Sequence, residues 1–182
     1  MADWLAYRWR RGYRMVDAKA ATEGQARIVT DQVTRPRPRW FEDFVVGAVY
    51  EFGSITVTEE DIIAFARQFD PQTMHTDPEA AARGSTGGLI ASGWHTAAIM
   101  MRIYAEHYLP PNGLPAPGVD ELRWHRPVRP GDTLSLRITI QEARLSRSKP
   151  DRGVIRPFTE VLNQRGEVVL SVRPINLVRR RP

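Results

Sequence analysis

Apolar residues recur along this 182-residue chain at two periods, and the switches between them mark out the elements. Tyr50 to Val57 alternates apolar with small or polar residues and is rich in β-formers, which predicts a strand. From Thr58 the period becomes helical. Ile62, Phe65, Ala66 and Phe69 fall on one stripe, Thr58 and Asp61 stand at capping-box spacing, and Glu59 and Glu60 suit the positive end of a helix dipole, so a helix is predicted to about Phe69. Asp77 as N-cap with Pro78 at the first helical position predicts a short helix through Arg83, broken by Gly84, Gly87 and Gly88. A longer helix follows from Gly93 to His107. It is apolar around most of its circumference until Arg102 and Glu106, a composition that belongs in an interior.

After a loop rich in proline and glycine, from Pro110 to Gly118, everything reads as strand. Leu134, Leu136, Ile138 and Ile140 alternate strictly with polar residues. Glu160 to Leu162, the turn Asn163-Gln164-Arg165-Gly166 and Glu167 to Val172 predict a hairpin, and Leu122 to Val128 supplies another strand. A helical bundle would need a period of 3.6 after residue 120, and there is none. The predicted class is α+β: an antiparallel β-sheet wrapped around a long central α-helix, the hot-dog architecture. Residues 1–39 show no sustained period and end in Thr34-Arg35-Pro36-Arg37-Pro38-Arg39, which suits an extended linker. They are expected to be a basic N-terminal extension, partly disordered or helical, with 5–22 as the helical candidate and the folded domain spanning 40–182.

Composition narrows the chemistry. With no cysteine, disulfides, thiolate nucleophiles and Cys-ligated metal sites are excluded. No run of eighteen uncharged apolar residues exists, so the expectation is a soluble, cytoplasmic protein with no membrane contact. The net charge of +5 sits entirely in residues 1–39, which hold nine Lys or Arg against four acids. The remaining 143 residues balance at 17 bases and 17 acids, which argues against a nucleic-acid-binding domain.

The informative stretch is Phe69-Asp70-Pro71-Gln72-Thr73-Met74-His75-Thr76-Asp77-Pro78-Glu79-Ala80, lying between two predicted helices and ahead of the buried one. Together with Gly88-Leu89-Ile90-Ala91-Ser92-Gly93 and Arg126-Pro127-Val128-x-Pro130-Gly131-Asp132-Thr133-Leu134, it resembles the MaoC-like dehydratases and R-specific enoyl-CoA hydratases over roughly residues 40–178. The resemblance implies reversible hydration of 2-enoyl thioesters of CoA or acyl-carrier protein to 3-hydroxyacyl thioesters. That is a lyase activity of fatty acid metabolism, carried by a homodimer or higher homo-oligomer with no cofactor beyond the CoA of the substrate. On the family mechanism Asp70 and His75 are catalytic, Asp70 orienting and deprotonating a water that His75 shares while relaying the proton to C2. Gly93 and Ser92, at the head of the central helix, are the candidates for oxyanion and substrate binding, since first-turn N–H groups and the dipole favour developing negative charge. An Asp on a partly apolar loop is expected to have its pKa raised by desolvation.

The usual family form is Asp-x-Asn-Pro-x-His, whereas Gln72, Thr73 and Met74 fill the interior here, which leaves loop geometry and substrate choice open. Taken alone, Asp70 reads as a turn residue and His75 as a loop histidine. Asp77 reads as a cap, His95 as a packed helix residue, and His107 and His125 as a helix-end and a strand residue. No second histidine stands at metal-ligand spacing from His75, so no metal is expected. Two other functions share the pattern: a hot-dog acyl-CoA thioesterase, and a non-catalytic acyl-thioester-binding module docked through its basic arm.

Overall fold

The computed structural model describes residues 40–110 and 113–182, together with the backbone of 14–16 and 28–29. Two short strands, β1 (Arg14–Val16) and β2 (Ile28–Val29), precede a 3-10 turn at Phe41–Asp43 and strand β3 (Val49–Thr56). Helices α1 (Glu59–Phe69), α2 (Thr73–Thr76), α3 (Pro78–Arg83) and α4 (Gly93–His107) follow. The chain closes with β4 (Gly118–Trp124), β5 (Thr133–Leu145), β6 (Arg152–Leu162) and β7 (Val168–Arg179). All strand pairs are antiparallel, in the order β2-β1-β3-β5-β6-β7-β4. The sheet encloses α4, which lies against β3 and β5, so the fold is the hot-dog.

The local rules account for most of this. Thr58 Oγ1 accepts from the Asp61 N–H (3.1 Å) and Asp61 Oδ2 accepts from the Thr58 N–H (3.4 Å), closing the capping box that starts α1. Asp77 accepts from the Ala80 N–H at the head of α3. In β5 the alternation is literal: Leu134, Leu136, Ile138 and Ile140 are buried and the residues between them are not. Gly53 lets β3 approach the helix. Its φ is +80°, the register with β5 shifts between Phe52 and Ile55, and a Cβ there would stand 2.6 Å from Ile103 Cγ2.

The structure departs from expectation at five places. Strand β4 ends at Trp124 and not at Val128. It is a mostly exposed edge defined by pairing with β7, so its own residues carry no alternation to read. β6 begins at Arg152, well ahead of the predicted start at Glu160: burial alternates from Ile155 to Val161, but Pro157 and Thr159 take inward positions and Phe158 an outward one, so the apolar pattern does not follow the faces. α2 forms a single turn inside a loop. Within 5–22 the described residues, Arg14–Val16, form a strand paired with β3 rather than a helix; the rest of 5–22 lies outside the described residues. The last departure concerns α4: His95, Thr96, Ile99, Met100, Ile103 and Tyr104 are buried, but Trp94 and Met101 are about half exposed or more, so one stripe stays open in the single chain.

Candidate active site

Asp70 and His75 are brought together by the turn between α1 and α2. Asp70 is the C-cap of α1, its N–H bonded to the Ala66 carbonyl (2.8 Å). The chain reverses through Pro71, and the Gln72 N–H donates to the Asp70 carbonyl (2.7 Å). His75 then falls on the one-turn helix α2, buried, with Nε2 3.5 Å from Asp70 Oδ2. Its Nδ1 lies 2.8 Å from the Ile90 carbonyl oxygen. A carbonyl can only accept, so Nδ1 carries the proton and, in the uncharged ring, Nε2 presents a lone pair toward Asp70. The Ile90 N–H donates back to the Met74 carbonyl (3.2 Å), which ties α2 to the segment leading into α4.

The Asp70 carboxylate is held by two donors: Ser92 Oγ gives Oδ2 a 2.6 Å hydrogen bond, and Gln72 Nε2 gives Oδ1 one of 2.8 Å. These two bonds, with a smaller contribution from the charge of His75, hold the Asp70 pKa below the ordinary carboxylate value and outweigh desolvation. The expectation of a raised pKa is therefore reversed. A loop that looks partly apolar in sequence is polar in space, because its donors come from two residues along and from a different helix.

Ser92 joins α4 to this pair. It caps α4, accepting from the Trp94 N–H (3.2 Å), while its own proton goes to Asp70, and the residue is 0% exposed. Its hydroxyl is engaged by Asp70 and the Trp94 N–H, and Ser92 does not line the cleft beside it. Gly93 does reach the open space. It lines a cleft of about 420 Å³ with Asp70, Gln72, His75 and Trp94 on one side and Trp124 to Val128 on the other. A Cβ at Gly93 would lie 2.5 Å from Trp124 Cε2 and Nε1, so glycine is what allows the indole to sit over the helix start. The Gly93 N–H is a first-turn donor with no intrahelical partner.

Several contributors were not legible in the sequence. Gln72, which stands where the family form has Asn, is a direct ligand of the Asp70 carboxylate. The Ile90 carbonyl sets the His75 tautomer, and Trp124, His125 and Arg126 wall the cleft. His125 Nε2 pairs with Ser171 Oγ at 2.8 Å. The Arg126-to-Asp132 segment has a structural role. Asp132 accepts from the Arg129 N–H (2.8 Å) and Gln164 Nε2 (2.9 Å), while Val128 accepts from the Ala91 N–H (2.8 Å), pinning the cleft wall to the head of α4.

Fold and cleft together define a hot-dog domain with an Asp–His pair beside a helix N-terminus. The chain belongs to the MaoC-like domain family, whose profile matches residues 43–156. It is 30% identical to the Bacillus subtilis protein YdeM over 125 residues, covering 68% of this chain and 87% of that protein. Among solved structures, the MaoC-like dehydratase from Rhodospirillum rubrum is 42% identical, with a TM-score of 0.74 over 79% of this chain and 99% of the other. The R-hydratase PhaJ1 from Pseudomonas aeruginosa is 26% identical, with a TM-score of 0.67 over 81% and 90%. The chain spans 37% of the Klebsiella aerogenes protein MaoC, at 29% identity. Among the described residues no helix is long and apolar enough to cross a membrane.

Proposed function

We propose that this protein interconverts 2-enoyl and 3-hydroxyacyl thioesters of CoA or acyl-carrier protein by adding or removing one water, with Asp70 and His75 as its catalytic residues. The observation that carries the reading is the Asp70–His75 geometry. At 3.5 Å, Nε2 and Oδ2 are too far apart for a strong charge-assisted bond of about 2.7–2.9 Å, and both are acceptors close enough for one water to donate to each.

In the hydration direction the water oxygen forms its bond to C3 of the enoyl thioester while one water proton leaves. Electron density moves through the double bond to the thioester oxygen. Asp70, ionised and held by Ser92 and Gln72, orients the water. His75 Nε2, whose lone pair is left open by the Nδ1–H bond to Ile90, receives that proton and delivers it to C2. In this reading the base is His75, where the family mechanism has Asp70. The Gly93 N–H donates to the thioester oxygen as it gains charge. Dehydration runs the same steps backwards.

A second copy of the chain covering the open Trp94 and Met101 stripe of α4 would complete the burial its composition calls for, giving a homodimer. A cytoplasmic location is part of the same reading.

The test is loss of enoyl-thioester absorbance with trans-2-enoyl-CoAs of graded length. Asp70→Asn and His75→Gln are expected to lower kcat by about 10²–10⁴-fold while leaving acyl-CoA binding intact. Turnover of no substrate, or full activity in both variants, refutes the proposal. Release of free CoA thiol selects a thioesterase instead.

A further inference from the structure

A second cavity lies on the other side of the first turn of α4, and the mechanism above does not use it. It has a volume of about 220 Å³, is bounded by α1, α4 and the end of β3, and is walled by Phe65, Phe69 and Ile99. That is room for roughly seven water-sized groups at about 30 Å³ each. Phe69 directly precedes Asp70, and His95 lies between Trp94 and Thr96 of the cleft wall, so cavity and cleft flank the same ends of α1 and α4. The cavity therefore sits beside the point where the thioester would be held.

His95 is out of place in this apolar wall. Its ring stacks on Phe65, with centroids 4.7 Å apart and an interplanar angle of 11°, which fixes its orientation. The residue is 8% exposed, its Nδ1 is buried with no hydrogen-bond partner, and no described residue bonds to Nε2. Buried polar atoms are almost always paired, and one left unpaired calls for a functional account. The charged groups around the cavity are Asp61 and Arg102. Arg102 Nε is tied to Glu106 (3.1 Å), while Asp61 is ionisable and near enough to His95 to act on it electrostatically. Burial pushes the His95 pKa down, and the Asp61 charge opposes this only in part. The ring thus offers one N–H and one lone pair without a charge of its own.

We infer that this cavity receives the acyl chain of the thioester and that His95 selects chains bearing an uncharged oxygen substituent, a hydroxyl or a keto group, over plain hydrocarbon chains. The inference rests on the proposed thioester function for the placing of the chain. An uncharged imidazole can donate to a keto oxygen or accept from a hydroxyl, whereas a carboxylate on the chain would face Asp61, with the cation of Arg102 already engaged by Glu106. His95 is thereby a specificity-determining residue, separate from the Asp70–His75 pair.

The test is calorimetric binding of unreactive saturated thioesters: hexanoyl-CoA, 6-hydroxyhexanoyl-CoA, 5-oxohexanoyl-CoA and the dicarboxylic adipyl-CoA. Wild type is expected to bind at least one of the two oxygenated chains about tenfold tighter than hexanoyl-CoA, the upper range for one net hydrogen bond. Adipyl-CoA is expected to bind more weakly than either. His95→Leu should reverse the preference toward hexanoyl-CoA, and His95→Gln, which keeps a donor and an acceptor, should retain it. Equal or tighter wild-type binding of hexanoyl-CoA or adipyl-CoA overturns the inference, as does an equal loss for all ligands in His95→Leu. If His95→Leu does not fold, the wild-type and His95→Gln series decides alone. Because binding is read without turnover, the preference can hold while the hydratase reading fails, and turnover of enoyl-CoAs can hold while the preference fails.

Discussion

Replacing Ser92 by alanine tests the claim that the head of α4 holds the Asp70 carboxylate. The substitution removes two bonds at once: the 2.6 Å bond to Asp70 Oδ2 and the cap on the Trp94 N–H. A hydrogen bond to a charged group contributes about 1.5–3 kcal/mol. The lower end applies, because the Asp70 side chain is 19% exposed and water from the cleft can replace the hydroxyl in part. Loss of an N-cap costs about 1 kcal/mol. The expected destabilisation at pH 7 is therefore about 2–3 kcal/mol, or roughly 5–10 °C in Tm for a domain of this size.

The pH dependence gives an independent readout. Asp70 is held below its unfolded value of about 3.9, so its contribution to stability is present above that value and is lost as pH falls through the lower folded value. Without Ser92 the folded pKa rises toward the unfolded one, and this contribution shrinks at every pH above it. With His75 as the base, the acid side of kcat/KM needs the Nε2 lone pair free as well as Asp70 ionised, and the limb that reports Asp70 moves to higher pH in the same variant. Thr58→Ala is the control: it removes the cap of α1, costs about 1 kcal/mol, and has no bond to Asp70, so its acid limb stays in place. Denaturant melts and activity profiles, both run from about pH 3 to 8 to span the carboxylate and imidazole ranges, measure the two quantities. A Ser92→Ala protein within about 0.5 kcal/mol of wild type, the spread of ordinary surface substitutions, or one with an unmoved acid limb, would show that the Ser92 bond does not govern Asp70.

Gln72→Ala removes the other donor to Asp70 from an exposed position, so the acid limb should move in the same direction by a smaller amount, with stability changed by no more than about 0.5 kcal/mol in melts. Gly93→Ala places a Cβ against the Trp124 indole, so that ring must move; intrinsic fluorescence should shift and kcat/KM for enoyl-CoA should fall at least tenfold, by about 1.4 kcal/mol or more. Gly53→Ala combines a positive φ with a 2.6 Å approach to Ile103, and chemical denaturation should show a loss of about 2 kcal/mol or more with the cleft chemistry unchanged. Asp132→Ala strands the Arg129 N–H and Gln164 Nε2, and should cost about 2–4 kcal/mol in the same assay.

Elements whose signals are local are legible in the order of amino acids alone. The Thr58–Asp61 box, the Asp77-Pro78 start, the bounds of α4 and the alternation of β5 each depend on residues within a turn or a pleat of one another, and each stands where its pattern placed it. Edge strand β4, buried strand β6 and the open stripe of α4 are not legible in the same way, since their character comes from what lies beside them.

The site divides along the same line. The residue types, their order and the five-residue step from Asp70 to His75 belong to the sequence by itself, and so does membership of the MaoC-like family. Only the tertiary structure decided what those residues are. Asp70 has a lowered pKa because Ser92, 22 residues away, donates to it; His75 has a defined tautomer because Ile90, 15 residues away, accepts from it. His95 became conspicuous only once Phe65 and the cavity wall stood around it with no described partner for its Nδ1. Acidity and hydrogen bonding depend on groups within a few ångströms, and the chain brings those groups together from positions far apart in sequence.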